Sequence, residues 1–269
     1  MTAAVQAPPP SSIVARMEAA QDRARSVFQL KFIATWIFLV GLLLLGLWVT
    51  GNIDPEFIGT WGPFILKGAW LTIFVSAVSI VFATLLALMG AMGRMSRSPY
   101  INGLASLYVS LVRGTPLIVQ VYFIYLALPQ VGIVLPAIPS GIIALSFNYG
   151  AYMTEIFRAG IQAVPPGQRE AAQSLGMPER MVMRRVVLPQ AFRIVIPAIG
   201  NDFVSMLKDS SLVAFLAVEE LFFLAKLAGG QNFRSLEALI IAAAVYWVLT
   251  IVFSAFQQRL ERRMARGDR

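Results

Sequence analysis

Hydrophobic residues gather in six long runs, at 32–49, 64–92, 101–128, 137–163, 194–218 and 236–256, and most polar residues fall between them. The first run is almost purely apolar and, at ~1.5 Å per helical residue, about one bilayer thick. The second breaks off at Arg94, Ser96, Arg97, Ser98 and Pro99, the third at Pro129, the fourth at Pro165-Pro166-Gly167. The pattern predicts membrane-spanning helices, because an open sheet leaves backbone groups unsatisfied in hydrocarbon. Asp54-Pro55-Glu56 predicts a short acidic loop, and 219–235, with Gly229-Gly230, a longer one. Residues 1–10, with Pro8, Pro9 and Pro10, read as a disordered tail. Residues 11–30 read as a short helix able to lie along the membrane surface, carrying Arg16, Glu18, Asp22, Arg23 and Arg25. A cleaved signal peptide is the competing reading of this start. The polar leader is long and no Ala-x-Ala-like site follows the run, so it is read as a retained span.

Composition supports a chain built for lipid. Of 269 residues, 58% are hydrophobic and 13% charged, against about 25% charged in an ordinary globular domain. The net charge of +8 does not form a nucleic-acid stripe, because the basic residues sit between apolar runs. With no Cys and no His, disulfide frameworks, thiol nucleophiles and the commonest metal-ligand chemistry drop out. No Gly-x-x-x-x-Gly-Lys-Ser/Thr loop is present, so any ATP that drives the protein is bound by another chain.

The basic residues orient the chain. Arg16, Arg23, Arg25 and Lys31 precede the first run, and Arg94 and Arg97 follow the second. Arg158, Arg169, Arg180, Arg184, Arg185 and Arg193 flank the gap between the fourth and fifth. Arg259, Arg262, Arg263, Arg266 and Arg269 follow the sixth, placing 17 of the 22 Lys and Arg on one side. The opposite loops hold only Lys67, Lys226 and Arg234. By the positive-inside rule both termini and the 164–189 loop are cytoplasmic.

That loop carries the most specific pattern in the chain. Glu170-Ala171-Ala172 is followed after three residues by Gly176, and after nine more by Val186, Val187, Leu188 and Pro189. Two short helical pieces hinge at Gly176, where positive φ is free, and Ala171 and Ala172 keep the first piece thin enough to lie against another protein. The segment resembles the coupling, or EAA, loop of permease subunits in bacterial ATP-binding-cassette importers. It keeps that motif's spacing and has Val186 where the pattern has Ile.

Further stretches resemble the polar amino-acid branch of that family: Lys67-Gly68-Ala69-Trp70-Leu71-Thr72, Arg113-Gly114-Thr115-Pro116-Leu117 with Gln120, the segment 151–168, Pro197-Ala198-Ile199-Gly200-Asn201, and Leu207-Lys208-Asp209-Ser210-Ser211-Leu212. The resemblance covers roughly 64–257 and implies an all-α, type I importer transmembrane domain, with five core helices plus one extra amino-terminal helix at 31–50. The remaining segments are then a cytoplasmic tail at 1–30 and a basic cytoplasmic tail at 258–269. Glu170, Ala171, Ala172, Gly176, Leu188 and Pro189 are the implied contacts for an ATPase subunit.

The residues suggest where cargo passes. Gly114, Thr115 and Pro116 interrupt a run and free backbone groups, a break tolerated where neighbours or a wet cavity satisfy them. Either they line a path, or they form a packing kink with Arg113 snorkelling to the interface. Asp202, Ser205 and Asp209, spaced i, i+3 and i+7, share a helical face, with Lys208 beside them. A charge at bilayer depth costs at least about 2.5 kcal/mol, so this face meets a cavity or a partner. It either meets the ammonium and carboxylate of an amino acid, or closes an internal salt bridge with Lys208. Glu155, with Asn148 two turns earlier, stands in the same position on the fourth run.

The resemblance implies a multi-pass subunit of the bacterial inner membrane that is not itself an enzyme and holds no cofactor, with ATP and Mg on separate ATPase subunits. Its expected partners are those ATPases, a second permease subunit and an extracytoplasmic solute-binding protein delivering a polar amino acid; nucleic acid is not among them. The rivals are an ion-gradient-driven secondary transporter using Asp202, Asp209 and Glu155, and a membrane scaffold without a path.

Overall fold

The computed structural model describes residues 10–51 and 53–265, so the expected disorder of 1–10 lies outside the described residues apart from Pro10. The chain divides into two units, Met1–Asp54 and Pro55–Arg269. The first contains one helix, α1 (Pro10–Gly51), of 42 residues. The short surface helix and the separate span expected at 11–30 and 32–49 are thus continuous, because no proline or glycine pair interrupts 11–50.

The second unit begins with α2 (Pro55–Arg94). Of the acidic loop expected at 54–56, Pro55 and Glu56 begin this helix, since proline is well suited to a helix start, and only Asp54 lies before it. Next come α3 (Pro99–Arg113), α4 (Leu117–Tyr122), α5 (Ala137–Gln162), α6 (Pro166–Ser174), α7 (Glu179–Val182), α8 (Leu188–Asp209), α9 (Leu221–Asn232) and α10 (Ser235–Ala265). Among the described residues of this unit, α2 and α10 are each long and apolar enough to cross a membrane, as is the bent α3–α4 segment taken as one passage. By composition α5 and α8 fall short of that apolarity: they carry Asn148, Glu155 and Arg158, and Arg193, Asn201, Asp202, Lys208 and Asp209.

The third run is not one helix. Its axis turns by 107° between Pro99–Arg113 and Leu117–Val131, because Pro116 lacks an N–H and the chain is extended there (ψ 140°). The freed groups find local partners. Gln120 Nε2 donates to the carbonyls of Val112 (2.8 Å) and Thr115 (3.1 Å), and Thr115 Oγ1 donates to Leu111 O at 3.0 Å. Past Tyr122 the helix widens into a π turn at Phe123–Ala127 and tightens into a 3-10 turn at Leu128–Val131.

The core is built on a line of small residues along α2, with Gly68, Thr72, Ser76, Ser79, Ala83, Ala87 and Gly90 all buried at helical spacing. Small residues let membrane helices approach closely. A Cβ on Gly90 would collide with Thr154 of α5, and one on Gly150 would stand 2.8 Å from the Tyr108 hydroxyl. Ser146 Oγ donates across the same seam to Ser79 O at 3.2 Å. Leu145, Met153, Phe157, Val195, Met206, Val213 and Leu216 belong to the same cluster as Ala83 and Ala87.

The loop expected at 219–235 is instead α9, packed with α2 and α10 around Ile65, Leu221, Ala225, Ala228, Ala238 and Ala242. The expected fifth passage starts earlier, at Leu188, and after Asp209 continues as a 3-10 helix, Ser210–Leu216.

Candidate functional site: a polar cavity and a hinged loop

Three helical segments converge on a cavity of about 370 Å³ lined by Thr115, Pro116, Leu117, Asn148, Tyr149, Tyr152, Asp202, Ser205 and Asp209. The break before α4 supplies Thr115 and Pro116, and α4 itself Leu117; α5 supplies Asn148, Tyr149 and Tyr152; α8 supplies the acids and the serine. The volume falls within the ~300–1,000 Å³ of small-molecule sites. Tyr149 donates its hydroxyl to Asp209 Oδ2 at 2.7 Å, and Asn148 Nδ2 donates to Gln120 Oε1 at 3.3 Å, tying α5 to the break. Asp202 Oδ2 is buried without a hydrogen-bond partner among the described residues. A buried acceptor left unsatisfied costs about 1–3 kcal/mol, so a donor that entered the cavity would find this oxygen free to accept. The two carboxylates give the lining a negative balance.

Of the seven residues expected along a path, Thr115, Asp202, Ser205 and Asp209 come together here. Arg113 does not line the cavity; its guanidinium lies 5.0 Å above the ring of Tyr152, which does. Lys208 is exposed and forms no salt bridge with Asp209 among the described residues; Asp209 accepts from Tyr149 instead. Adjacent residues on a helix do not face each other. Glu155 is also elsewhere. Its Oε1 accepts from Arg94 Nε at 3.1 Å and its Oε2 from Arg158 Nη2 at 2.7 Å. Arg94 further donates to Ser106 Oγ, and Asn102 donates to Arg94 O, so this cluster clamps the end of α2 to α3 and α5.

The 164–189 loop folds as two helices about Gly176, which has φ +79°. Gly176 N–H donates to Gln173 O and Met177 N–H to Ala172 O, the paired closure of a Schellman motif, in which the left-handed position favours glycine. Gln173 Nε2 bridges to Glu179 Oε2 at 2.8 Å, fixing the angle between α6 and α7. Glu170 and Ala171 are exposed, as is Leu175 at 84%. Ala172, expected to lie against a partner, faces inward instead, packed with Ile161, Val164, Val182, Val187 and Ala191. Leu188 is partly buried against the same cluster, and Pro189 is exposed.

The turn before Pro189 is a π turn, Met183–Val187, closed by Leu188 N–H donating to Met183 O. Pro189 offers no N–H to the helix, and Gln190 Nε2 donates to Val186 O at 3.0 Å. The Leu-Pro pair thus joins loop to helix through a widened turn, and α8 continues from there to Asp209 with Pro197 inside it.

Sequence reading did not find Tyr149 and Tyr152; the available signal was Tyr152, one helical turn after Asn148. It also missed Glu220. This fully buried carboxylate accepts from Phe223 N–H (2.8 Å), Tyr246 OH (2.6 Å) and Thr72 Oγ1 (3.2 Å), pinning the start of α9 to α10 and α2.

Residues 79–266 match the family described as binding-protein-dependent transport system inner membrane component. The chain is 41% identical over 205 residues to the L-cystine transport system permease protein TcyB of Bacillus subtilis (strain 168), covering 76% of this chain and 88% of that one. A crystal structure of an amino acid ABC transporter with histidines contains a chain that is 40% identical, with a TM-score of 0.75 over 78% of this chain and 99% of that one. An inward-facing MetNI methionine ABC transporter shares the fold at 17% identity, with a TM-score of 0.65 over 79% of this chain and 99% of that one. An all-helical membrane chain with a hinged loop of this pattern and such relatives belongs to the binding-protein-dependent inner membrane components, the permease subunits of ABC importers.

Proposed function

We propose that this permease imports a polar amino acid, and that the cavity bordered by Asp202, Ser205 and Asp209 is a station on its route. The observation that carries the reading is the single helix α8, which starts at the hinged loop and ends at the cavity. Movement of the loop is thereby transmitted to the acids. The ammonium group of the cargo meets Asp202 and Asp209. Residues 64–257 act as the permease core and 31–50 as an added span, with 1–30, 164–189 and 258–269 on the cytoplasmic side. Glu170, Ala171 and Leu175 meet an ATPase subunit that holds ATP and Mg; Gly176 sets the hinge, and Leu188 and Pro189 pass its movement to α8. A second permease subunit and an extracytoplasmic solute-binding protein complete the importer. The relatives that carry L-cystine or amino acids support the cargo class.

The test is uptake of labelled amino acids by the reconstituted importer. Asp209→Asn keeps an acceptor for the Tyr149 hydroxyl and removes the charge. It is expected to lower uptake per assembled complex about tenfold, the equivalent of one charged hydrogen bond. Undiminished uptake across a panel of amino acids would remove the cavity from the route.

A further inference from the structure

The segment around α9 is bracketed by strain. Among the described residues, the two non-glycine residues with positive φ are Ala217 (58°), just before α9, and Phe233 (54°), just after it. For a bulky side chain this is an outlier, and a glycine at 233 would relieve it. Phe233 gains nothing from packing in return, because at 95% it is the most exposed large apolar side chain of the described residues. The ground beneath it is fixed. Glu220 pins the start of α9, a Cβ on Gly229 would stand 2.9 Å from Ser235 Cα, and Arg234 N–H closes on Gly229 O. Its neighbours in sequence are polar: Gln231 is exposed, Asn232 Nδ2 donates to Ala228 O at 2.8 Å, and Arg234 Nη1 is 3.1 Å from Glu237 Oε1. An exposed aromatic on a pinned turn with polar neighbours suits an interface anchor.

We propose that Phe233 anchors the soluble solute-binding protein on the outer face of the permease. The proposal rests on the importer reading above, in which the α9–α10 turn is extracytoplasmic. It commits to that partner because members of this family are binding-protein-dependent, so an outer surface must receive one. The left-handed position closes α9, where glycine is usual, so an exposed phenylalanine held there keeps a strain of the kind that gathers at ligand clamps and other functional sites. A lipid-facing residue gains nothing from the left-handed conformation, since many unstrained apolar residues meet lipid equally well.

The experiment uses the complete permease–ATPase complex in nanodiscs, titrated with the solute-binding protein that most strongly stimulates wild-type ATP hydrolysis. Phe233→Gly is expected to raise the half-stimulating concentration at least about tenfold, the size of a single interface hot spot. The thermal midpoint of the complex stays the same or rises, because the backbone strain is gone. Phe233→Asn, which also tolerates the left-handed conformation, repeats the test if the glycine variant assembles poorly. An unchanged titration overturns the proposal, whether the ring then proves to serve lipid, through a lowered midpoint, or a second copy, through lost dimer. A wild-type complex that no binding protein stimulates overturns the importer reading and this proposal together.

Discussion

Glu155 and Asp209 are both carboxylates within long helices, and their neighbours separate their roles. Glu155 lies between two guanidinium groups that reach it from α2 and from its own helix. Asp209 has a tyrosine hydroxyl and an open cavity. Glu155→Gln therefore leaves Arg94 and Arg158 without their counter-charge, and a charged hydrogen bond is worth about 1.5–3 kcal/mol. The expected outcome is a lower thermal midpoint and a poorer yield of assembled complex, with wild-type uptake per complex that remains; normal stability with poor uptake would return Glu155 to the route. Helical spacing made the shared face of Asp202, Ser205 and Asp209 readable from the sequence. Of the two partners of Glu155, Arg158 was readable as an i,i+3 neighbour, but Arg94 was not, because it is 61 positions away and is brought near only by the packing of α2 on α5.

At the scale of elements, the hinged loop was legible because its geometry is local. A Cβ on Gly176 would meet nothing within 4 Å, so the importance of this glycine is conformational and not steric. Gly176→Val places a β-branched residue at φ +79°, a strain of about 1–3 kcal/mol that a solvent-facing loop relieves by changing the angle between α6 and α7. Substrate-stimulated hydrolysis is expected to fall to the basal rate while insertion and yield persist, and Gly176→Asn is expected to recover part of the coupling. Equal stimulation in Gly176→Val and wild type would refute the hinge. The bend at Pro116 was half legible: the proline announced a break, but not a turn of 107°. The α9 helix was hidden because Gly229-Gly230 reads as a loop. Gly229 is there for another reason, the close approach of α10.

For the whole molecule, the absence of cysteine gives a clean background for mapping sidedness. A single cysteine at Ser174 is expected to label only from the cytoplasmic side, and one at Gln231 only from outside. Labelling of Ser174 from outside would invert the arrangement and remove the ATPase contact with it. The assignment of sides came from basic residues alone, and the fold has no bearing on it, since a helix bundle satisfies its backbone equally well in either direction.

The length of α1 has a consequence of its own. An uninterrupted helix of 42 residues is ~63 Å long, about twice the ~30 Å hydrocarbon slab. Even at a tilt of ~40°, the steep end of what spanning helices show, the slab takes up only ~39 Å of it. Roughly 24 Å, or about sixteen residues at 1.5 Å each, must then stand among headgroups or in water. Arg16, Glu18, Asp22, Arg23 and Arg25 clothe just such a length. The amino-terminal helix is thus a spar as well as an anchor, joining the aqueous side to the bilayer through one continuous column of backbone hydrogen bonds.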